Sequence, residues 1–241
     1  MSPRRAGILV GAVLVLLFGM THPATAVDQS SSKDHRPSTQ AAPPIIGGSF
    51  ATDAQAPWAA SIYRSGGSFT CSGTIIAPTW VLTARHCVSS GITVRVGSVY
   101  RSRATTIAVT NYQVAPQGDL ALVKLSSAHN TTFSQLADTN PPNGSTNQIC
   151  GWGYTSYNGP ISEQLKCADV RVTSTTCRDY HSGQAICSSR ITGNAWSGDS
   201  GGPQRYNGQQ VGVASTADGR STQTYGSVPA SRSWIRSVAG V

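Results

Sequence analysis

Several features that would direct this sequence toward whole classes of protein are missing or scarce. After one apolar stretch, Ala6 to Met20, no second apolar run of about 18 residues follows, which disfavours a membrane-spanning protein. The 18 Lys and Arg residues are scattered rather than clustered, which disfavours a nucleic-acid-binding surface. No C-x-x-C pair occurs, and His86 is the only histidine beside a cysteine, so a metal site is a weak alternative. We therefore expect neither a metal nor a cofactor.

The first 44 residues have the composition of segments that lie outside a folded domain. Arg4 and Arg5 precede the apolar stretch, and Ala24-Thr25-Ala26 has the pattern of a cleavage site, so residues 1–26 are predicted to be a secretory signal peptide. A membrane anchor is the alternative. Residues 27–44 contain almost no large apolar side chains and are predicted to be a disordered linker or pro-segment. The folded domain is expected to span 45–241 and to be secreted.

Cysteine usage agrees with an extracellular location. All six cysteines fall in the expected domain, and an even number behind a signal peptide predicts three disulfides. The sequence by itself allows about 15 connectivities. The cysteines are Cys71, Cys87, Cys150, Cys167, Cys177 and Cys187.

Strand patterns dominate the expected domain. Short β-branched and alternating segments are bounded by Gly, Pro and Asn, which is typical of a β-sandwich or of β-barrels. Only the last 13 residues have helical spacing, with Trp234, Ile235 and Val238 able to share a face. The predicted strands lie within 73–84 (interrupted by a Pro-Thr turn), 91–97, 105–114, 120–125, 164–172 and 209–216, and the predicted helix within 229–241.

Three short segments contain the residue types that acyl transfer requires. "LTARHC" (82–87) contains His86, "QGDLALVKL" (117–125) contains Asp119, and "GDSGGP" (198–203) contains Ser200. A serine hydroxyl becomes a nucleophile when histidine accepts its proton, and a carboxylate orients the imidazole. Glycines beside the serine allow backbone N–H groups to point at a developing oxyanion. Taken singly, each segment is also compatible with a structural turn.

Taken together, these motifs resemble those of the chymotrypsin/trypsin-like serine proteases. "IIGG" (45–48), "TARHC", "DLALVKL", "GWG" (151–153) and "GDSGGP" occur in the order found in that family, with the chain order His, Asp, Ser. The short domain and the few disulfides are more similar to bacterial secreted members than to animal ones. The resemblance implies an all-β fold of two six-stranded antiparallel β-barrels with a C-terminal helix, and a secreted serine endopeptidase.

The resemblance also implies a role for individual residues. Ser200 corresponds to the nucleophile, His86 to the general base and Asp119 to the carboxylate that orients it. The N–H groups of Gly198 and Ser200 correspond to the oxyanion hole. The substrate pocket is expected to include Asn194, Ser197, Ser215 and Ala217.

Activation is expected to follow the family's pattern. Cleavage before Ile45 would free an ammonium group that pairs with the buried carboxylate of Asp199, and the pair would lock residues 193–199. Pro44 departs from this pattern, because trypsin-like zymogens are cut after a basic residue.

The pocket also departs from the family. Asn194 stands where trypsin-like members have an aspartate, and Thr216-Ala217 replaces the usual Trp-Gly. The position of Trp196 is usually a cysteine bonded to another further on. A preference for Arg or Lys at the cut site is therefore unsupported.

Among the disulfides, the resemblance implies Cys71–Cys87 around the histidine and Cys177–Cys187 before the pocket. Cys150 and Cys167 remain, and a cross-strand bridge is reasonable if their Cα atoms lie within about 7 Å. The expected partners are protein or peptide substrates, an activating protease and protein inhibitors, with no nucleic acid and no membrane. The protein is expected to be a monomer.

Two other functions compete with a peptidase. A non-catalytic protease-like binding module is the main alternative, although all three residue types of the triad are present. An esterase or lipase is disfavoured, because these enzymes usually have the order Ser, Asp, His in an α/β fold.

Overall fold

The computed structural model describes residues 45–241, so the predicted signal peptide (1–26) and pro-segment (27–44) lie outside the described residues. Within 45–241 no helix is long and apolar enough to cross a membrane. The elements in chain order are β1 (Ile46–Gly47), β2 (Ser49–Phe50), β3 (Ala59–Tyr63), β4 (Phe69–Ala77), β5 (Trp80–Thr83), a 3₁₀ turn (Arg85–Cys87), β6 (Thr93–Val96), β7 (Thr105–Val114), β8 (Ala121–Leu125), β9 (Thr146–Gly151), β10 (Lys166–Arg178), β11 (Gln184–Arg190), β12 (Gly193–Asn194), β13 (Pro203–Tyr206), β14 (Gln209–Ala217), β15 (Thr222–Ser227) and α1 (Val228–Ala239).

The strands form two antiparallel barrels. The first closes in the order β3-β4-β5-β8-β7-β6, with β6 returning to β3. The second has the order β11-β15-β14-β13-β9-β10, closed by pairing of β10 with β11, and β2 adds to the outer edge of β10. The prediction of two six-stranded barrels followed by a helix is confirmed.

The predicted strands lie where the alternating and β-branched segments placed them. The segment 73–84 becomes the end of β4 and all of β5, with the Pro-Thr turn between them, and 105–114 is β7 with the same bounds. The segment 164–172 extends further than predicted, to Arg178, because β10 pairs with β9 first and then with β11. Five strands of three or more residues, β3, β9, β11, β13 and β15, were not predicted.

The C-terminal helix joins the second barrel to the first. The Ser227 hydroxyl accepts a hydrogen bond from the Ala230 N–H at its start, and Gly240 ends it in a left-handed conformation (φ 77°). Ile235 is fully buried and belongs to the same apolar cluster as Leu122 and Val123 of the first barrel. Burial of an isoleucine side chain stabilises by roughly 1.5–3 kcal/mol.

Three disulfides cross-link elements within the barrels: β4 with the 3₁₀ turn, β9 with β10, and β10 with β11. Cys71–Cys87 spans 6.1 Å between Cα atoms, Cys150–Cys167 spans 4.1 Å and Cys177–Cys187 spans 6.2 Å. Cys150 and Cys167 are directly opposite each other on β9 and β10.

Candidate active site

His86 and Asp119 meet at the edge of the first barrel. β5 ends at Thr83, and the 3₁₀ turn that follows it presents His86. Its Nδ1 lies 2.7 Å from Oδ2 of Asp119, and its backbone N–H donates to Oδ1 at 3.0 Å. Two contacts to one carboxylate fix both the position and the rotation of the imidazole ring.

The carboxyl group of Asp119 is fully buried and remains an acid of low pKa. Burial opposes its ionisation, but hydrogen bonds from His86 and from the Ser215 hydroxyl, which donates to Oδ2 at 2.6 Å, hold the pKa below the usual value. At neutral pH the site therefore contains a carboxylate facing Nδ1 of the histidine. This arrangement favours the tautomer that leaves Nε2 free to accept a proton.

A second acidic residue, Asp179, holds this carboxylate from behind. Its Oδ2 accepts the Asp119 N–H at 2.8 Å, while its Oδ1 accepts the N–H groups of His181 and Gly183. The resulting turn brings Nε2 of His181 to 3.9 Å from Oδ1 of Asp119 and the Tyr180 ring to 6.2 Å from the His86 ring. Sequence reasoning missed this cluster. The sequence feature that could have indicated it is the short interval between Cys177 and Cys187, which encloses Asp179.

Ser200 is presented by a turn that depends on glycine. Gly198 has φ 91° and Gly201 has φ 80°, a region that side-chain-bearing residues rarely adopt. A Cβ on Gly201 would lie 2.1 Å from Oγ1 of Thr83, the last residue of β5. The Ser200 carbonyl accepts the Ser72 N–H at 2.8 Å, which attaches the turn to β4 beside the Cys71–Cys87 disulfide. Ser200 therefore lies next to the segment that carries His86.

Two backbone donors of this turn are unengaged. Among residues 45–241, neither the N–H of Gly198 nor that of Ser200 has a protein acceptor within hydrogen-bond distance. The Gly198 carbonyl accepts the Ser72 hydroxyl at 3.1 Å and the Asp199 N–H donates to the Trp196 carbonyl at 3.0 Å, so the Gly198–Asp199 peptide between the two donors is held at both ends. Two fixed, adjacent N–H groups can stabilise a negatively charged oxygen.

Asp199 points inward and is almost completely buried. Its carboxylate accepts the N–H groups of Gly153 (2.8 Å) and Trp196 (2.9 Å). A Cβ on Gly151 or on Gly153 would lie 2.2 Å or 2.5 Å from this carboxyl group, which explains the two glycines of the GWG segment. Burial outweighs these hydrogen bonds and raises the pKa of Asp199 to about 7.

Ile45 occupies the same interior. Its side chain is fully buried in a cluster with Ala195 and Tyr225, and β1 pairs with β12 so that Ile46 lies opposite Asn194. The chain just after Pro44 thus runs along the segment that leads to Asp199.

Lys166 is an unexpected buried cation in this region. It is fully buried, and its ammonium donates to the Gly47 carbonyl at 2.5 Å. Burial lowers its pKa to about 8, although the charge of Asp199 opposes that shift. No feature of the sequence distinguished this lysine from a surface residue.

A pocket of about 260 Å³ opens beside Ser200. The expected residues Ser197, Ser215 and Ala217 line it, but Asn194 does not. Asn194 is fully buried in β12, where its Nδ2 donates to the Ala195 carbonyl at 2.7 Å. The lining is Ala195, Trp196, Ser197, Asp199, Ser200, Ala214, Ser215, Thr216 and Ala217.

An aromatic stack replaces a covalent bond in the pocket wall. The Trp196 ring stacks on Tyr157 with 5.0 Å between ring centroids and 20° between planes. Gly219 packs against the indole so closely that a Cβ there would lie 2.5 Å from it. Trp196 therefore bridges the Tyr157 loop and the loop after β14, although neither loop contains a cysteine.

Asp218 organises that second loop. Its Oδ1 accepts the backbone N–H groups of Arg220, Ser221 and Thr222 at 2.8–2.9 Å, and its Oδ2 accepts the Thr222 hydroxyl at 2.9 Å. Although partial burial opposes ionisation, these donors hold the pKa of Asp218 far below its usual value. One carboxylate thus closes the turn that supports Gly219.

Comparisons with known proteins agree with this geometry. The family model for Trypsin matches residues 45–235. Trypsin delta of Drosophila melanogaster is 33% identical over 226 residues, covering 81% of this chain and 88% of that protein. Among solved structures, neuropsin, a serine protease expressed in the limbic system of mouse brain, has a TM-score of 0.70 at 26% identity, covering 80% of this chain and 98% of that one. Human heparin binding protein has a TM-score of 0.70 at 27% identity, with 80% and 96% covered.

The Asp218 turn generates a testable prediction. Asp218→Ala removes the acceptor of three backbone N–H groups, so we expect amide hydrogen exchange at Arg220, Ser221 and Thr222 to accelerate by about tenfold or more, since each bond contributes about 1 kcal/mol. Asp218→Asn keeps one carbonyl oxygen and should accelerate exchange less. Unchanged exchange in Asp218→Ala would mean that the turn is held by other contacts.

Proposed function

The chain belongs to the trypsin family and is a serine endopeptidase, and from that premise we propose that Ser200, His86 and Asp119 are its catalytic triad. The single observation that carries this proposal is the pairing of His86 Nδ1 with a fully buried Asp119 carboxylate at 2.7 Å. A carboxylate in this position orients the imidazole ring and stabilises the imidazolium that forms when His86 accepts a proton.

The reaction on protein or peptide substrates follows from these positions. Ser200 Oγ attacks the carbonyl carbon of the scissile bond while Nε2 of His86 takes its proton. The N–H groups of Gly198 and Ser200 stabilise the oxyanion of the tetrahedral intermediate. His86 then returns the proton to the leaving amine, and the same residues activate water to hydrolyse the acyl-enzyme. Asp119 stays ionised throughout and stabilises the imidazolium.

The role of the nucleophile is testable by mutation. Ser200→Ala should retain the fold and lower kcat for peptide hydrolysis by about 10⁴-fold or more, because the nucleophile and its base act as a unit. A radiolabelled sulfonyl fluoride should modify the wild-type protein at Ser200 and should not label Ser200→Ala. The matched control is Ser197→Ala, a change in the pocket lining, which should still be labelled. Absence of labelling in the folded wild-type protein that begins at Ile45 would favour the alternative function, a non-catalytic binding module.

Substrate preference at the cut site follows from the pocket. Small side chains, Ala195, Ala214 and Ala217, line much of it, and the only ionisable group in its lining, Asp199, is engaged by two backbone donors. Asn194 behind the wall is neutral. We propose that the pocket accepts small or medium uncharged side chains rather than Arg or Lys, because an unpaired guanidinium would be desolvated there.

This preference is testable with p-nitroanilide substrates. Matched substrates with Ala, Leu, Phe or Arg before the scissile bond should give the highest kcat/KM for an uncharged residue. Ala217→Gly, which removes the methyl group from the pocket wall, should shift the preference toward the larger Phe. An Arg preference of tenfold or more would contradict the proposal.

Activation is proposed to depend on a new N-terminus at Ile45. The Ile45 side chain already lies in the cluster beside Ala195. The Asp199 carboxyl group has two backbone donors, and within 45–241 no side-chain cation lies within 4 Å of it. An ammonium at Ile45 would convert a costly buried charge into a paired one. The pair would fix the turn that holds the Gly198 N–H.

The sign of the pH effect follows from the raised pKa of Asp199. In the chain with an intact Pro44–Ile45 bond, the folded pKa of Asp199, about 7, lies above the ordinary value of 3.8 for an aspartate. The protonated Asp199 side chain therefore contributes its full stabilisation below the pKa of the unfolded chain. This contribution is lost as the pH rises through the pKa of the folded chain. Precursor stability should fall between about pH 4 and pH 7. A paired Asp199 in the mature form should remove this fall.

The experiment compares the protein beginning at Ile45 with a version that has one additional alanine before it. The extended version should have a kcat/KM at least tenfold lower, because an amide cannot form an ion pair with the carboxylate. The midpoint temperature of its thermal unfolding should decrease as the pH is raised from about 4 to about 7. Asp199→Asn in the extended version should flatten that pH dependence. Equal activity of the two versions would show that the switch does not operate, even if the triad does.

Location and partners complete the proposal. Three disulfides are typical of secreted proteins, and we propose that residues 1–26 direct export and that residues 27–44 are removed on activation. Because Pro44 precedes the activation site, another protease of different specificity is proposed to make that cut. The mature domain is proposed to act as a monomer and to be a target of protein inhibitors.

A further inference from the structure

Three arginines that are distant in sequence lie around the facing ends of β3 and β4 in the first barrel. Arg64 follows β3, Arg95 lies on β6, and Arg101 lies between β6 and β7. Arg64 Nε donates to the Thr70 hydroxyl at 3.1 Å, and Arg95 Nη1 donates to the Arg101 carbonyl at 3.4 Å. We call Arg64, Arg95 and Arg101 the arginine cluster.

Two aromatic rings hold the guanidinium groups in place. The Arg95 guanidinium lies 4.1 Å from the centroid of the Tyr63 ring, and that of Arg101 lies 4.8 Å from the centroid of Phe69. The two rings are edge to face, with centroids 5.8 Å apart. Stacking fixes the planar groups in advance, so they lose little freedom when they bind a carboxylate.

The charge of the cluster is largely uncompensated. Within 45–241, no carboxylate lies within 4 Å of Arg64 or Arg95. Arg101 has one carboxylate partner, Glu163, at 3.6 Å, and its Nε donates to the Ser162 carbonyl at 2.7 Å. The Glu163 side chain is 52% exposed, so this pair is weakened by solvent. The surface therefore presents a net positive charge in a fixed arrangement.

The cluster adjoins the turn that contains Ser200. A Cβ on Gly198 would lie 3.1 Å from Cε1 of Phe69, the ring beneath Arg101. Further along the same strand, the Ser72 N–H donates to the Ser200 carbonyl. β4 thus flanks the serine on one side.

The substrate pocket lies on the opposite side of Ser200, along β14. Its wall includes Ala214, Ser215, Thr216 and Ala217. The residue before the scissile bond occupies that pocket in the proposed function. A substrate that continues past Ser200 on the side away from the pocket would cross β4 near Phe69 and approach Arg101.

We propose that the arginine cluster binds acidic side chains on the leaving-group side of the substrate, so that the enzyme prefers peptides with Asp or Glu within the first three residues after the scissile bond. This inference rests on the proposed function. Hydrogen bonds from a guanidinium group to a carboxylate are charge-assisted and are stronger than those between neutral groups. A polyanion such as a sulfated polysaccharide is a different class of ligand, and its binding is treated as an outcome of the test.

The test uses internally quenched peptides that are identical up to the scissile bond. In one the second and third residues after the bond are Glu, in another Gln and in a third Lys. At low ionic strength we expect kcat/KM for the Glu peptide to exceed that for the Gln peptide by about fivefold, since two partly exposed ion pairs each contribute modestly. The ratio should fall toward 1 as salt is added.

Variants locate the effect. Arg95→Gln combined with Arg101→Gln should lower the Glu-to-Gln ratio to about 1, and Arg95→Glu should favour the Lys peptide instead. The matched control is Arg171→Gln, an exposed arginine on β10 whose Nη1 donates to the Gly144 carbonyl. In that variant the ratio should equal the wild-type value.

The outcomes separate this inference from the proposed function. Efficient cleavage of all three peptides at equal kcat/KM would overturn the preference for acidic residues and leave the proposed function intact. No cleavage of any peptide by the mature protein would overturn both. The preference would be assigned to other residues if the Glu-to-Gln ratio stayed at the wild-type value in the Arg95/Arg101 double variant. The same conclusion would follow if the ratio fell to about 1 in Arg171→Gln as well. Tight binding of heparin to the cluster without any difference between the peptides would identify it as a polyanion site.

Discussion

The carboxylate of Asp119 is the point on which the arrangement of the site depends, because it joins the two barrels. The carboxylate accepts hydrogen bonds from His86 on the first barrel and from Ser215 on the second. The backbone N–H of Asp119 donates to the Asp179 carboxylate. A carboxylate buried without these partners would cost several kcal/mol and would become protonated. The same bonds that offset its burial therefore fix the two barrels in the register that brings Ser200 beside the histidine segment.

The parts of this arrangement that could be predicted from the sequence are those with a local signal. Alternating apolar residues marked β7 and β8, and short motifs marked His86, Asp119 and Ser200. Strands such as β9 were missed, because their inward-facing polar residues hide the alternation. Asn147 in β9 is buried, for example. Contacts between residues that are far apart in the sequence left no local pattern from which they could be predicted.

Three features of the site illustrate that limit. Asp179 looks like any turn-forming aspartate, yet it supports the backbone of Asp119 across 60 residues of sequence. Lys166 looks like a surface residue, yet it is fully buried near Asp199. Asn194 was expected at the base of the pocket by its distance from Ser200, but the pairing of β12 with β1 buries it behind Ala195. Each outcome is decided by packing between elements, which residue spacing does not encode.

The wall of the substrate pocket is held by the Tyr157–Trp196–Gly219 stack and the Asp218 turn rather than by a sulfur–sulfur bond. In an oxidising environment, losing one half of a disulfide leaves a reactive thiol, so such a wall changes only when two positions change together. A wall built from stacking and hydrogen bonds can be altered one side chain at a time, with each intermediate still folded. The shape of this pocket is therefore open to gradual evolutionary change through single substitutions, and the same property makes it a convenient starting point for directed evolution of specificity.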